Sequence, residues 1–121
     1  MNSKEYLSKI QNTSIAINTV KTIEKLYGDI KNDIVKKILS RMVEMNNTEF
    51  LDNGYRVLDY EEIIDADDDL HVDFSSKGLL PLFDCSDNDF IVYDVNNNEW
   101  LKFNIVDEVK FRENSELEEL L

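Results

Sequence analysis

Apolar residues recur at helical spacing through the first third of the chain and at two-residue spacing in most of the rest. Ile15, Val20, Ile23, Leu26 and Tyr27 approximate a 3.6-residue period, and Gly28 with Asp29 punctuates its end. A second helix is predicted from Asn32 or Asp33, either of which suits an N-cap, to about Met45. Its stripe is Ile34, Val35, Ile38, Leu39 and Met42, with Lys36, Lys37 and Arg41 among the remaining positions. Both stripes are expected to face the core. From Phe50 the period changes. Asn53-Gly54 is a turn signal, Tyr55 to Leu58 reads as a short strand, and Asp59 with Glu62 spaces a capping box for a short helix through Ile63 and Ile64. Leu70, Val72 and Phe74 alternate with His71 and Asp73, which predicts a half-buried strand. Pro81 marks Leu79 to Phe83 as an edge strand or an irregular lead into one.

Phe90 to Val95 and Glu99 to Val106 are two strand-like runs separated by Asn96, Asn97 and Asn98. Asparagine tolerates positive φ, so a hairpin is expected there. Ile91, Tyr93 and Val95 share a face of one strand, and Leu101, Phe103 and Ile105 a face of the other. Val109 and Phe111 are read as a further short strand. Ser115 with Glu118 repeats the capping-box spacing ahead of a last helix carrying Leu117, Leu120 and Leu121. The order is helices, then a mostly antiparallel sheet of about four to six strands with short helices. This predicts an α+β fold in which the N-terminal helices pack on the sheet.

The length of 121 residues fits one domain spanning 1–121, large enough to fold on its own core without a disulfide or a metal. Cys85 is the single cysteine, so no internal disulfide or multi-cysteine zinc site can form. The N-terminus has no apolar run of a signal peptide, and the apolar stretches are too short to span a bilayer. A cytoplasmic protein is expected.

Charge adds a direction to this picture. The chain holds 13 basic and 26 acidic residues, net −13. Residues 1 to 60 carry 9 basic and 8 acidic side chains, whereas residues 61 to 121 carry 4 and 18. Asp59 to Asp73 and Asp84 to Leu101 contain no Lys or Arg. Nucleic acid is disfavoured as a ligand because phosphate binding needs clustered cations, and an anionic membrane is disfavoured for the same reason. A single-sign field of this kind steers association with a basic protein. Asp65, Asp67, Asp68, Asp69, Asp73, Asp84, Asp87 and Asp89 are the candidate partner-binding residues. Changing Asp67, Asp68 and Asp69 to Asn is expected to leave folding intact, and a solvated surface that keeps the protein in solution is the competing reading.

The chemistry-bearing motifs fail one by one. Gly28, Gly54 and Gly78 are isolated, so no phosphate loop can be built. Asp65, Asp67 and Asp69 have the first three offsets of a calcium loop, but Leu70 and Ser76 stand where it needs Gly and Glu. His71 is the only histidine, and nothing in the sequence ties it to Cys85 or to a serine. No spacing singles out two carboxylates as an acid and a base. Trp100 reads as a core or core-edge residue. The expectation is a chain without catalytic residues, cofactor or metal.

A resemblance sharpens the functional reading. Gly78 to Asp84 reads Gly-Leu-Leu-Pro-Leu-Phe-Asp, Asp87 to Tyr93 reads Asp-Asn-Asp-Phe-Ile-Val-Tyr, and these are followed by Trp100, by Phe103 to Glu108 and by the Leu117 to Leu121 segment. Together they resemble the SUKH superfamily, which contains the Smi/Knr cell-wall-regulator family and many bacterial immunity proteins. Tyr55 to Leu58 and Glu61 to Ile64 come in the order of that family's elements, and the resemblance covers residues 15 to 121, most strongly 55 to 121. Two departures stand out: Asp84 to Asp89 lacks the glycines many members carry in that turn, and Asp29-Ile30-Lys31 replaces a Leu-Pro lead into the second helix. The resemblance implies an α+β binding domain with no common catalytic residues. Similar bacterial proteins are encoded beside polymorphic or contact-dependent toxins, many of them nucleases, and neutralise them by direct contact. The alternative it implies is a regulatory or scaffolding protein of cell-wall synthesis.

Overall fold

The computed structural model describes residues 1–45, 47–114 and 116–121. The helical first third is three helices: α1 (Ser3–Gln11), α2 (Ile17–Tyr27) and α3 (Asp33–Glu44). Asn2 caps α1 by accepting the Glu5 N–H at 2.8 Å, and Asn32 caps α3 by accepting from Ile34 and Val35. α1 buries Tyr6 and Ile10, α2 buries Val20, Ile23 and Tyr27, and α3 buries Val35, Ile38, Leu39 and Met42. Two residues of the predicted stripes stay outside. Ile15 precedes α2, Leu26 lies off its buried line, and both are exposed. The N-cap of α2 is Ala16, which has no capping side chain. Ser40 of α3 accepts the Ala16 N–H at 2.8 Å and donates to the Lys36 carbonyl at 2.7 Å, so one buried hydroxyl joins the two helices.

The sheet is a five-stranded antiparallel meander: β1 (Arg56–Val57), β2 (Leu79–Asp84), β3 (Asp89–Asp94), β4 (Glu99–Asn104) and β5 (Val109–Asn114), paired in that order. β1 covers only Phe83 and Asp84 by register, and Leu58 adds a bond to the Leu82 carbonyl. Pro81 therefore lies where nothing on the outer side of β2 needs its missing N–H, next to a register shift between Pro81 and Phe83. Ile91 and Tyr93 lie opposite Lys102 and Trp100, while Phe90 and Val92 lie opposite Phe103 and Leu101. The two expected strand faces are thus different faces of the sheet, and β3 is buried on both. Tyr6 packs edge-on against Phe83 with ring centres 5.8 Å apart, and Phe74 packs on Phe103 at the same separation. Trp100 is fully in the core, tilted against Tyr93 at 5.4 Å.

The predicted strand over Leu70 to Phe74 does not form. Tyr60–Ile64 (α4), Ala66–Leu70 (α5) and Phe74–Lys77 (α6) are short helices. The alternation misleads because Val72 and Phe74 are buried from the bend between two helices, with His71 at φ 55° and Gly78 at φ 66° reversing the chain. α4 has the expected capping box of Asp59 and Glu62. The last element is a 3₁₀ turn over Leu117–Glu119 rather than an α-helix, and the Ser115 cap lies outside the described residues. The fold is α+β, as the residue pattern implied.

Candidate protein-binding surface

Two acidic stretches meet at one guanidinium. Arg56, on β1, donates to both carboxylate oxygens of Glu62 at 2.7 and 2.9 Å and lies 3.5 Å from Asp84. Glu62 also accepts the Asp59 N–H at 3.1 Å, and Asp59 accepts the Glu62 N–H at 2.8 Å. Arg56 thereby fastens the start of α4 to the end of β2. Its hydrogen bonds to Glu62 raise the guanidinium above its ordinary value, and hold the Glu62 carboxyl below the usual carboxylate range.

The turn from β2 to β3 is held by main-chain bonds in an uncommon conformation. Ser86, Asp87 and Asn88 have φ of 75°, 54° and 67°. The Cys85 N–H donates to the Asp89 carbonyl, and the Asp89 N–H to that of Ser86. Asn104 then ties this turn to the next. Its side-chain amide donates to Asp89 at 2.8 Å, and its side-chain oxygen accepts the N–H groups of Val106 and Asp107 at 3.1 and 3.0 Å. The Ile105 N–H donates to the Asn88 carbonyl at 2.9 Å.

The eight predicted aspartates divide by this bonding. Asp67 accepts the Ser75 N–H at 3.0 Å and the Ser75 hydroxyl, acting as a remote cap for α6. Asp67 is thus a structural residue, contrary to the expectation that its neutralisation leaves folding intact. Asp84 is engaged by Arg56 and the Ser86 N–H, and Asp89 by Asn104. Asp65, Asp68, Asp69, Asp73 and Asp87 are exposed, and their side chains take no hydrogen bond or ion pair among the described residues. Sequence reasoning missed Arg56, Glu62 and Asn104 as organisers. The signals were available only in part: the capping-box spacing marked Glu62, but nothing marked its partner.

The reactive candidates stand apart. His71 is exposed at the end of α5, and Cys85 is half-buried in the β2–β3 turn. Burial pushes the Cys85 thiol up to about 12, against the opposing pull of Lys102, so it is a neutral thiol near pH 7. Among the described residues no three His, Cys, Asp or Glu side chains are grouped to hold a metal ion. A groove of about 610 Å³ beside α3 is lined by Lys9, Thr13, Ser40 and Arg41 among others and includes none of the predicted aspartates. Its Arg41 is committed to a bidentate pair with Glu49 at 2.8 Å, with side chains only 13% and 11% exposed. No described helix is long and apolar enough to cross a membrane. No family model matches this chain, and neither does any curated protein or solved structure.

Proposed function

We propose that this chain is a non-enzymatic binding domain that acts as an immunity protein, neutralising a bacterial toxin made by its own cell through direct stoichiometric contact. The observation that supports it is the acidic surface fastened at Arg56, with five aspartates that take no partner among the described residues. Carboxylates spent on capping or ion pairs serve the fold. Exposed ones on a net −13 protein act outward, where a basic cleft of the nuclease type is their complement. The resemblance to SUKH immunity proteins points the same way, and such a role belongs to the cytoplasm.

The test starts at the neighbouring gene, which the immunity reading expects to encode a protein with a toxic C-terminal domain, and cells expressing that domain are the assay. Co-expression of the chain is expected to restore growth and to give a one-to-one complex on gel filtration. The double variant His71→Ala/Cys85→Ala is expected to protect equally, since neither residue is assigned a chemical role. Absence of protection by the folded wild-type chain would overturn the immunity reading, and loss of protection in a folded double variant would overturn the non-enzymatic one.

A further inference from the structure

The β4–β5 hairpin exposes the kind of side chain that the rest of the sheet hides. Val106 is 69% exposed, Val109 50% and Phe111 51%, whereas β2 and β3 are buried almost throughout. β5 is the outer strand of the sheet. It slips past β4 between the pairs Lys102–Arg112 and Phe103–Lys110, so Phe111 is the extra residue with no partner across the ladder. Bulges of this kind re-aim a side chain, and Phe111 stands exposed on a strand that is exposed along nearly its whole length. Three large apolar groups within six residues of one hairpin form a feature that isolated surface hydrophobics do not.

This hairpin is continuous with the acidic turn. Asp89 pairs with Asn104 and Asn104 with Val109, so the carboxylate and the valine lie in one cross-strand row about 10 Å apart. The Asn104 side chain holds both turns in fixed geometry, so little order has to be gained on binding. Asp87 and Asp107 flank the hairpin with no side-chain partner among the described residues. Of the two cations of β5, Lys110 pairs across from Phe103, on the opposite face from Val109, while Arg112, across from Lys102 on the face of Val109, donates to the Glu119 carbonyl; Lys77 is paired with Glu108 at 2.8 Å.

We propose that the β4–β5 hairpin is the docking centre, inserting Val106, Val109 and Phe111 into an apolar cleft whose basic rim, on a partner protein, meets Asp87, Asp89 and Asp107. The proposal rests on the reading of this chain as a binder of a basic protein, and it adds where the apolar contact sits. Apolar anchors inside a charged rim are the arrangement that carries most binding energy in protein interfaces. A second copy of this chain is the poorer occupant, because two bodies of net −13 repel.

The probe is a synthetic amphipathic Leu/Lys peptide, with a Ser/Lys peptide of equal charge as its control, each titrated into the whole chain and followed by amide NMR shifts. The Leu/Lys peptide is expected to move amides of residues 87–89 and 104–111, and the control to bind weakly and over residues 59–73. Val109→Ser with Phe111→Ser is expected to weaken Leu/Lys binding by about tenfold with an unchanged thermal midpoint. Val106→Ser, in the turn outside the ladder, carries the same test if the double variant loses its fold. Equal mapping of both peptides onto residues 59–73, or unchanged affinity in the variants, would overturn the proposal. So would a wild-type dimer in sedimentation that Phe111→Ser dissolves, since a second copy would then cover the patch. The two readings fail separately. Hairpin mapping without growth protection removes only the immunity role, while full protection and complex formation by the serine variants remove only the docking centre.

Discussion

Arg56 holds two carboxylates with one guanidinium, and the consequence is a pH-dependent contribution to stability. Glu62 is ionised more readily in the folded chain than its ordinary value of 4.5 allows, chiefly because Arg56 hydrogen-bonds its charged form. A carboxyl with a depressed folded value stabilises the fold above its unfolded value and loses that contribution as pH falls through the folded one. Glu62→Gln preserves the shape and the capping role, since glutamine also serves at that position of a capping box. The variant is expected to be less stable by about 0.5–1 kcal/mol near neutral pH, a range kept small by solvent screening of a partly exposed pair. Urea unfolding should show the deficit constant above the ordinary carboxylate range and lost as pH falls through the lowered folded value. A deficit that persists in acid would assign the effect to packing rather than charge. At this scale the sequence showed the aspartates but not their employment: Asp67 and Asp68 are neighbours of identical chemistry, and only the position of Ser75 separates a cap from a free charge.

Turns decide the register of the elements, and two left-handed positions make opposite predictions. Gly78 ends α6 at φ 66°, and a Cβ there would lie 2.8 Å from the Asn96 side-chain amide. The exposed Asn96 side chain can move aside, so the strain of an L-residue at positive φ remains the larger cost. Gly78→Ala is expected to destabilise by about 1 kcal/mol. Ser86 adopts φ 75° with a side chain. Ser86→Gly relieves that strain at some expense in unfolded-state entropy, for a net gain of about 0.5 kcal/mol. Thermal melts of the two variants should therefore move in opposite directions, and a shared sign would refute the strain account. The β3–β4 hairpin was legible from its asparagines, and Asn98 does take φ 52°. Its organiser was not. Asp94 is buried, accepting the Asn96 and Asn97 N–H groups and the Asn97 side-chain amide.

Across the whole molecule, a net charge of −13 strains the folded state by self-repulsion, most in the half that holds 18 acids and 4 bases. Raising salt from about 0.01 to about 0.1 M shortens the screening length from about 30 to about 10 Å, so the melting temperature should rise. Neutralising the free aspartates should imitate salt. Asp65→Asn, Asp68→Asn and Asp69→Asn together are expected to be neutral or slightly stabilising at low salt, while Asp67→Asn should cost about 1 kcal/mol by weakening the α6 cap. If these acids steer a basic partner, the triple variant also associates more slowly and with a shallower salt dependence in stopped-flow measurements. A melting temperature lowered by the triple variant would show that those side chains serve the fold after all.

Local pattern determined the α+β class, the α3 cap to within Asn32 or Asp33, the α4 capping box and the β3–β4 hairpin. Each is set by interactions within a few residues, which periodicity and turn chemistry record directly. The same pattern misread Leu70 to Phe74, because alternation records which side chains are buried and not the path of the backbone between them. Tertiary structure alone decided which acids are free, since Arg56, Ser75 and Asn104 reach their carboxylates across 6, 8, 15 and 28 positions of sequence. It also decided that Phe111 is exposed: β5 ends the sheet with no described element covering it, and a single strand's sequence holds no record of its neighbours.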